Sequence, residues 1–425
     1  MHILDLWHSA RRYARQTAHL ERNVRLFFLA AILSGTAQGI FRVVFNLYVL
    51  QLGIGADVLG RILSAGPFAQ AVGSIPIGFV AEVIGYKKAM LLIYGFTGIS
   101  QLAQVSTANP SVIFLAAFAG GLAFAGDFVV RLPFLALNTT PAERKHVFST
   151  SSILFAVSGA LGALVAGYVP NLLRSLTPNL AVAYRCTLYG AGVLTLMSLV
   201  PLLLLHDRRP ERRGPISLEP YLVGMDRFTV QQAVVSLFVG LSTGLVTPFL
   251  NVIFVYHLGT SREFFGSISA LTVIPSTLAT ALGPLVAGSV GTISAIVGMR
   301  SAMPLGVIAL ALTSSPVAGA AAMWLYQALL STSQPLSFAF AMEAAKAKAK
   351  VAASAWLNVT FWLGGAVAAP ITGLFLARSE YGAPLYLSAA AALLAATLTM
   401  AFFGSYDRCQ AKKERLDGAS KVSSR

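Results

Sequence analysis

The chain has 425 residues, of which 56% are hydrophobic and only 11% charged, with a mean hydropathy of +0.72. That balance excludes a water-soluble fold and requires a polytopic membrane protein. A formal charge of +15 would suggest nucleic acid for a soluble chain. Here the basic residues stand between apolar runs, where they set topology, so no nucleic-acid partner is expected.

In chain order, residues 1–25 are polar and basic, and the apolar run that follows is too long for a signal-peptide core. It reads as an uncleaved first span. A span needs about 20 apolar residues, and twelve such runs are present. They lie at about 26–50, 58–82, 86–105, 111–138, 148–170 and 182–205, then 229–256, 263–290, 297–314, 317–342, 351–377 and 382–404. The polar, proline-bearing stretch 206–228 is the one domain boundary. The expected organisation is a basic N-terminus (1–25), a six-helix bundle (26–205), a linker (206–228), a second six-helix bundle (229–404) and a basic tail (405–425).

Loop charges orient the spans. With both termini cytoplasmic, 24 of the 31 Lys and Arg residues fall in inside loops, whereas the outside loops hold only Arg174, Arg185, Arg262 and Arg378. This tally counts Arg300 among the inside-loop residues, at the start of the ninth span. Cys186 and Cys409 then fall on opposite sides and make no disulfide framework. No metal-ligand spacing occurs, so neither a metal nor a cofactor is expected.

The second half echoes the first. Gly39, Asn46 and Leu52-Gly53-x-x-x-Asp57-x-x-Gly60 correspond to Gly244, Asn251 and Leu258-Gly259-x-x-x-Glu263-x-x-Gly266. The stretch Gly78-x-x-x-Glu82-x-x-Gly85-Tyr-Lys87-Lys88 is matched with Gly291-x-x-x-Ala295-x-x-Gly298-Met-Arg300, which implies a seven-residue insertion in the second half. Ser158-x-x-x-Gly162-Ala163 parallels Gly365-x-x-x-Ala369-Pro370.

Twelve spans, repeated halves and the stretch Gly78 to Lys88 resemble the major facilitator superfamily, whose loop between helices 2 and 3 reads Gly-x-x-x-Asp-Arg-x-Gly-Arg-Lys. The resemblance implies an all-α membrane protein of two pseudo-symmetric six-helix bundles that rock about a central site. Gly78, Glu82, Gly85, Lys87 and Lys88 would then form a gating element. Glu82 stands for the usual Asp and Val83 for the usual Arg, so the carboxylate is kept without its neighbouring base. Gly162-Ala163 replaces the Gly-Pro of family antiporters, which points away from drug efflux.

Polar residues inside spans are costly and face a cavity or a protein interface. In the first span Ser34, Gln38, Arg42 and Asn46 recur every four residues and so share one helix face. The fourth span carries Asp127, Arg131 and Asn138. In the second half Asn251, Gln327, Gln334 and Asn358 lie on polar stripes of spans seven, ten and eleven, without mid-span charge. The expected substrate or proton pathway is Gln38, Arg42, Asn46, Asp127, Arg131, Asn251, Gln327, Gln334 and Asn358.

Asp127 pairs either with Arg131, four residues on, or across helices with Arg42. Asp57 and Arg61 read as a rim pair, and Glu343 as a solvated helix end. Phe41, Phe45, Phe128, Phe134, Trp324, Tyr326 and Trp362 either line an aromatic pocket or pack helices.

These features point to a monomeric secondary transporter in the cytoplasmic membrane, coupled to protons through Asp127 and moving an anionic, zwitterionic or neutral small molecule. No phosphate-binding Gly-x-x-x-x-Gly-Lys-Ser/Thr loop occurs, and no catalytic constellation appears, so the chain is not expected to be an enzyme. Efflux of hydrophobic compounds is the second reading, and a non-transporting receptor or scaffold the third.

Overall fold

A computed structural model of the chain describes residues 20–141, 143–207, 226–346 and 349–407, without the side chains of Phe128 and Lys145. Most of the expected N-terminal segment, linker and tail, with Lys348 and Cys409, lies outside the described residues.

Among the described residues the chain forms twelve long helices and no strand. The first six are α1 (Arg22–Gln51), α2 (Ala56–Ile84), α3 (Tyr86–Ser106), α4 (Pro110–Leu137), α5 (Arg144–Arg174) and α6 (Leu180–Leu203). The last six are α7 (Arg227–His257), α8 (Arg262–Val290), α9 (Thr292–Leu312), α10 (Pro316–Ala344), α11 (Lys350–Ala377) and α12 (Gly382–Phe403). Ten of these are long and apolar enough to cross a membrane, and α3 and α10 are helices of similar length that are less apolar. Their apolar side chains remain widely exposed, as Leu278, Leu282, Leu285 and Val290 do along α8, which suits acyl chains rather than water. The chain is an integral multi-pass membrane protein.

Local chemistry sets the helix starts. Side chains of Asn109, Asn179, Asp226, Ser261 and Ser315 each accept a hydrogen bond from a first-turn amide, and Pro110 and Pro316 occupy positions where no donor is needed. The amide of Thr229 holds the Asp226 carboxyl below its usual range. In α7, Pro248 breaks the regular ladder. The turn Thr247–Phe249 tightens, and Ile253–His257 then widens to π spacing.

The repeat is more regular than the sequence pattern suggests. Gly85 alone separates α2 from α3, with φ 86°, and Gly291 alone separates α8 from α9, with φ 96°. Only glycine adopts this conformation without strain. Gly53 and Gly259 form a second such pair, and both pairs are 206 residues apart. The expected seven-residue insertion is therefore absent, and Gly291 corresponds to Gly85 rather than to Gly78. Gly288, not Ala295, stands opposite Glu82. The ninth helix begins at Thr292 instead of about 297, so Arg300, expected with the inside-loop residues, lies well inside the helix.

By contacts the chain divides into two compact units, one of residues 1–52 and 72–216, the other of 53–71 and 217–425. The start of α2 thus belongs to the second unit. In each unit, the end where its first full helix begins is called proximal below, and the other end distal. Glycines make the tightest helix crossings. A Cβ on Gly39 would collide with the Gly159 carbonyl of α5, and one on Gly240 with the Phe361 carbonyl of α11. Both proximal ends close on aromatic rings. Phe27 packs on Phe134 at 5.7 Å in the first unit, while Phe340 meets Phe228, Phe403 and Tyr406 at 5.7, 5.3 and 4.9 Å in the second.

Candidate functional site

The helices of the first unit bring one ionisable cluster together. Asp127 of α4 is buried, 8% exposed. Its Oδ1 accepts a 2.8 Å hydrogen bond from the Tyr94 hydroxyl of α3, and its Oδ2 lies 3.9 Å from Nη1 of Arg131, one turn along the same helix. The Arg131 guanidinium also stands 5.4 Å from the Phe155 ring centroid of α5, and Ser34 of α1 lies beside the Tyr94 hydroxyl. The phenol thus holds the carboxylate closely, and the cation holds it loosely. A proton on Asp127 would cancel its pull on Arg131 while keeping a hydrogen bond to Tyr94.

The alternative pairing of Asp127 with Arg42 does not occur. Ser34 is level with the cluster, and Arg42 lies two turns further along α1, about 12 Å away. Arg42 is exposed within the span and has no ion-pair or hydrogen-bond partner among the described residues. Gln38 is half-buried on the turn before it, Asn46 is buried on the turn after, and Phe41 and Phe45 stack at 4.8 Å alongside.

The other polar positions separate into groups. Asn251 is buried in the irregular part of α7, where its side chain accepts from the Val252 amide. Gln327 and Gln334 are half-buried on α10, and Asn358 of α11 donates to the Ser354 carbonyl. Asn138, on the same stripe as Asp127, instead accepts from Asn23 at the proximal end, where Asn23 also bonds the His206 backbone. Among the aromatics, Phe134 and Tyr326 are packed inside and Trp324 donates to the Ile268 carbonyl. Asp57 and Arg61 pair at 3.1 Å on an exposed surface, and Glu343 is exposed.

In the stretch Gly78 to Lys88, Glu82 and Lys88 are exposed. Lys87 donates to the Leu203 and Leu205 carbonyls at 2.9 and 2.6 Å, satisfying the end of α6. The second unit fastens the matching junction with the opposite charge. Asp407, beyond α12, accepts from the Ile293 and Ser294 amides that open α9.

Mid-span charge is not confined to the first unit. Arg300, eight residues into α9, is 4% exposed and donates to Thr399 of α12 at 2.8 Å and to Ser337 of α10 at 2.7 Å. Neither Arg300 nor Tyr94 stands out as a site residue in the sequence. The constant spacing would have found them as a pair, since they occupy equivalent positions 206 residues apart.

The profile of the Major Facilitator Superfamily matches residues 27–231. A comparison with curated protein sequences finds no match. Among solved structures, a point mutant of the nucleoside transporter NupG superposes with a TM-score of 0.76 at 14% identity, covering 89% of this chain and 99% of that one. A D-xylose-proton symporter gives 0.70 at 14% identity, covering 89% and 96%. A bacterial homologue of the human lysosomal transporter Spinster, inward-facing and unoccupied, gives 0.69 at 15% identity, covering 91% and 96%.

Proposed function

The chain carries the major facilitator superfamily fold, with that family's sequence pattern over its first half, and from that premise we propose that it is a proton-coupled secondary transporter. It moves a small polar molecule across the cytoplasmic membrane by alternating access. Both termini lie in the cytoplasm, in keeping with the bias of basic residues toward that side. The expected bundles 26–205 and 229–404 are the moving parts, and the stretch Gly78 to Lys88 is part of the cytoplasmic gate.

The observation that carries the coupling is the cluster of Asp127, Tyr94 and Arg131. A carboxylate inside a span is costly unless it is paired or protonated, and Asp127 has one close neutral donor and one distant cation. Proton binding releases Arg131, and proton loss recaptures it. That alternation gives a two-state element which a proton gradient can bias.

Arg42 supports the substrate class. Asp127 is already engaged, so the exposed Arg42 leaves an unbalanced positive charge that favours an anionic or zwitterionic group over a lipophilic cation. Gln38 and Asn46 flank it as hydrogen-bonding groups on α1, and Asn251, Gln327, Gln334 and Asn358 supply further ones on the second unit. The fold relatives named for a nucleoside and for D-xylose favour a small polar cargo.

A thermal-shift screen of nucleosides, sugars and small carboxylates identifies the ligand, because a molecule that binds the folded state raises its stability. In proteoliposomes under an imposed pH gradient, Asp127→Asn then abolishes uphill accumulation of that ligand while keeping counterflow exchange. Undiminished accumulation by the variant would refute the coupling role. Ligand binding without exchange in the parent would make the protein a receptor.

A further inference from the structure

The constant spacing of 206 residues aligns the polar stations of the two units. In the first unit these stations hold Tyr94, Asp127 and Arg131, and the guanidinium there has its own carboxylate. In the second unit the equivalent positions hold Arg300, Ser333 and Ser337. The cation has moved to the tyrosine station, and serine has replaced the acid. A buried positive charge remains, and its counter-charge is gone.

The surroundings of Arg300 supply no substitute. Nη1 donates to Thr399 and Nη2 to Ser337, while Nε is buried without any partner. Both hydroxyls direct their own protons to helix carbonyls, Ser337 to Ser333 and Thr399 to Ala395, so they act only as acceptors toward the guanidinium. Arg300 forms no ion pair among the described residues, in contrast to Arg131 with its Asp127. A guanidinium has five N–H donors and does not give up its proton, and two hydroxyl acceptors leave that charge without a counter-ion and Nε without a hydrogen bond. An unpaired buried charge is strongly destabilising, as breaking a buried ion pair is. At 4% exposure, Arg300 is also out of reach of a lipid headgroup.

We propose that Arg300, held in place by Ser337 and Thr399 between α9, α10 and α12, forms an internal binding site for a small monovalent anion of chloride size. The anion takes the part that Asp127 plays for Arg131, and it neutralises the core of the second unit. Ile296 and Met303, one turn to either side of Arg300 on α9, are buried and apolar, so the residues next to it on its own helix face offer the guanidinium no counter-charge.

The test is thermal unfolding of the purified full-length protein in mixtures of sodium chloride and sodium gluconate at fixed ionic strength. The parent midpoint is expected to rise saturably with chloride, by on the order of 2 °C per tenfold increase once chloride exceeds its dissociation constant. Arg300→Met removes the charge and with it the chloride dependence. Arg300→Lys keeps the charge without the planar fork and needs at least about tenfold more chloride, and it decides the matter if the methionine variant does not fold. A parent midpoint indifferent to chloride overturns the proposal and leaves buried water as the partner of Nε. Chloride dependence that survives unchanged in both variants overturns it as well, by placing the anion elsewhere.

Discussion

At the scale of single residues, three arginines inside spans sit in three different electrostatic situations. Arg131 faces a carboxylate and an aromatic ring, Arg300 faces two hydroxyls, and Arg42 makes no ion pair or hydrogen bond among the described residues. Long side chains can reach toward water when a cavity admits it, and of the three only Arg42 is exposed. It is therefore the arginine whose partner can be a solute. If that solute carries an anionic group, a charge-assisted hydrogen bond to it contributes about 1.5–3 kcal/mol. Arg42→Gln should then raise the dissociation constant of an anionic substrate by roughly tenfold to a hundredfold, and that of an uncharged analogue far less. Equal losses for both, measured by isothermal titration, would remove Arg42 from substrate recognition.

At the scale of helices, the bundles depend on places where no side chain intervenes. Gly39 and Gly162 of the first unit bring α1 and α5 together, with their Cα atoms where the other's Cβ would have to go. In the second unit a Cβ on Gly244 would lie 2.6 Å from the Cα of Gly365, which sets α7 close against α11. Gly39→Ala should cost about 1–3 kcal/mol by overpacking, read as a lowered midpoint of thermal unfolding. Gly66→Ala is the control, because its Cβ meets nothing within 4 Å, and its midpoint should hold or rise. If the two variants behaved alike, close backbone packing would not be what holds α1 to α5.

Such crossings were legible as Gly and Ala spacings, and the spans themselves as long apolar windows, because both are periodic signals within one helix. The register of the repeat was not. A chain with 37 glycines offers several Gly-x-x-x-x-x-x-Gly matches, and Gly291 with Gly298 imitates Gly78 with Gly85. The positive φ of Gly85 and Gly291 identifies the true pair, and that is a property of the backbone. The partners of Arg300 were hidden for a related reason. Ser337 and Thr399 are ordinary helix hydroxyls, 37 and 99 residues away in sequence, and nothing in their spacing marks them. Asp127 with Arg131 was readable because one helical turn joins them.

At the scale of the whole molecule, α2 is the element that ties sequence order to transport. Its residues 56–71 belong to the second unit and the rest of it to the first, so any movement of one unit against the other must act on this helix. Within the second unit, a Cβ on Gly60 would lie 2.6 Å from the Ala369 carbonyl and 2.9 Å from the Cα of Gly373 on α11. With the termini in the cytoplasm, this crossing lies at the outer end. If the proposed bundles 26–205 and 229–404 are the moving parts, α2 and α11 must part at this crossing for an outward-facing state to form. Gly60→Leu would wedge it apart and favour the open state, since a change that strains one of two conformations shifts the population toward the other. In a background lacking Cys186 and Cys409, a single cysteine at Gln38 should then react faster with an impermeant maleimide added outside, while uphill transport falls because return to the closed state is impeded. Unchanged labelling, in a variant that folds and inserts normally, would mean that the contact between α2 and α11 persists throughout the cycle and that the outer gate lies elsewhere.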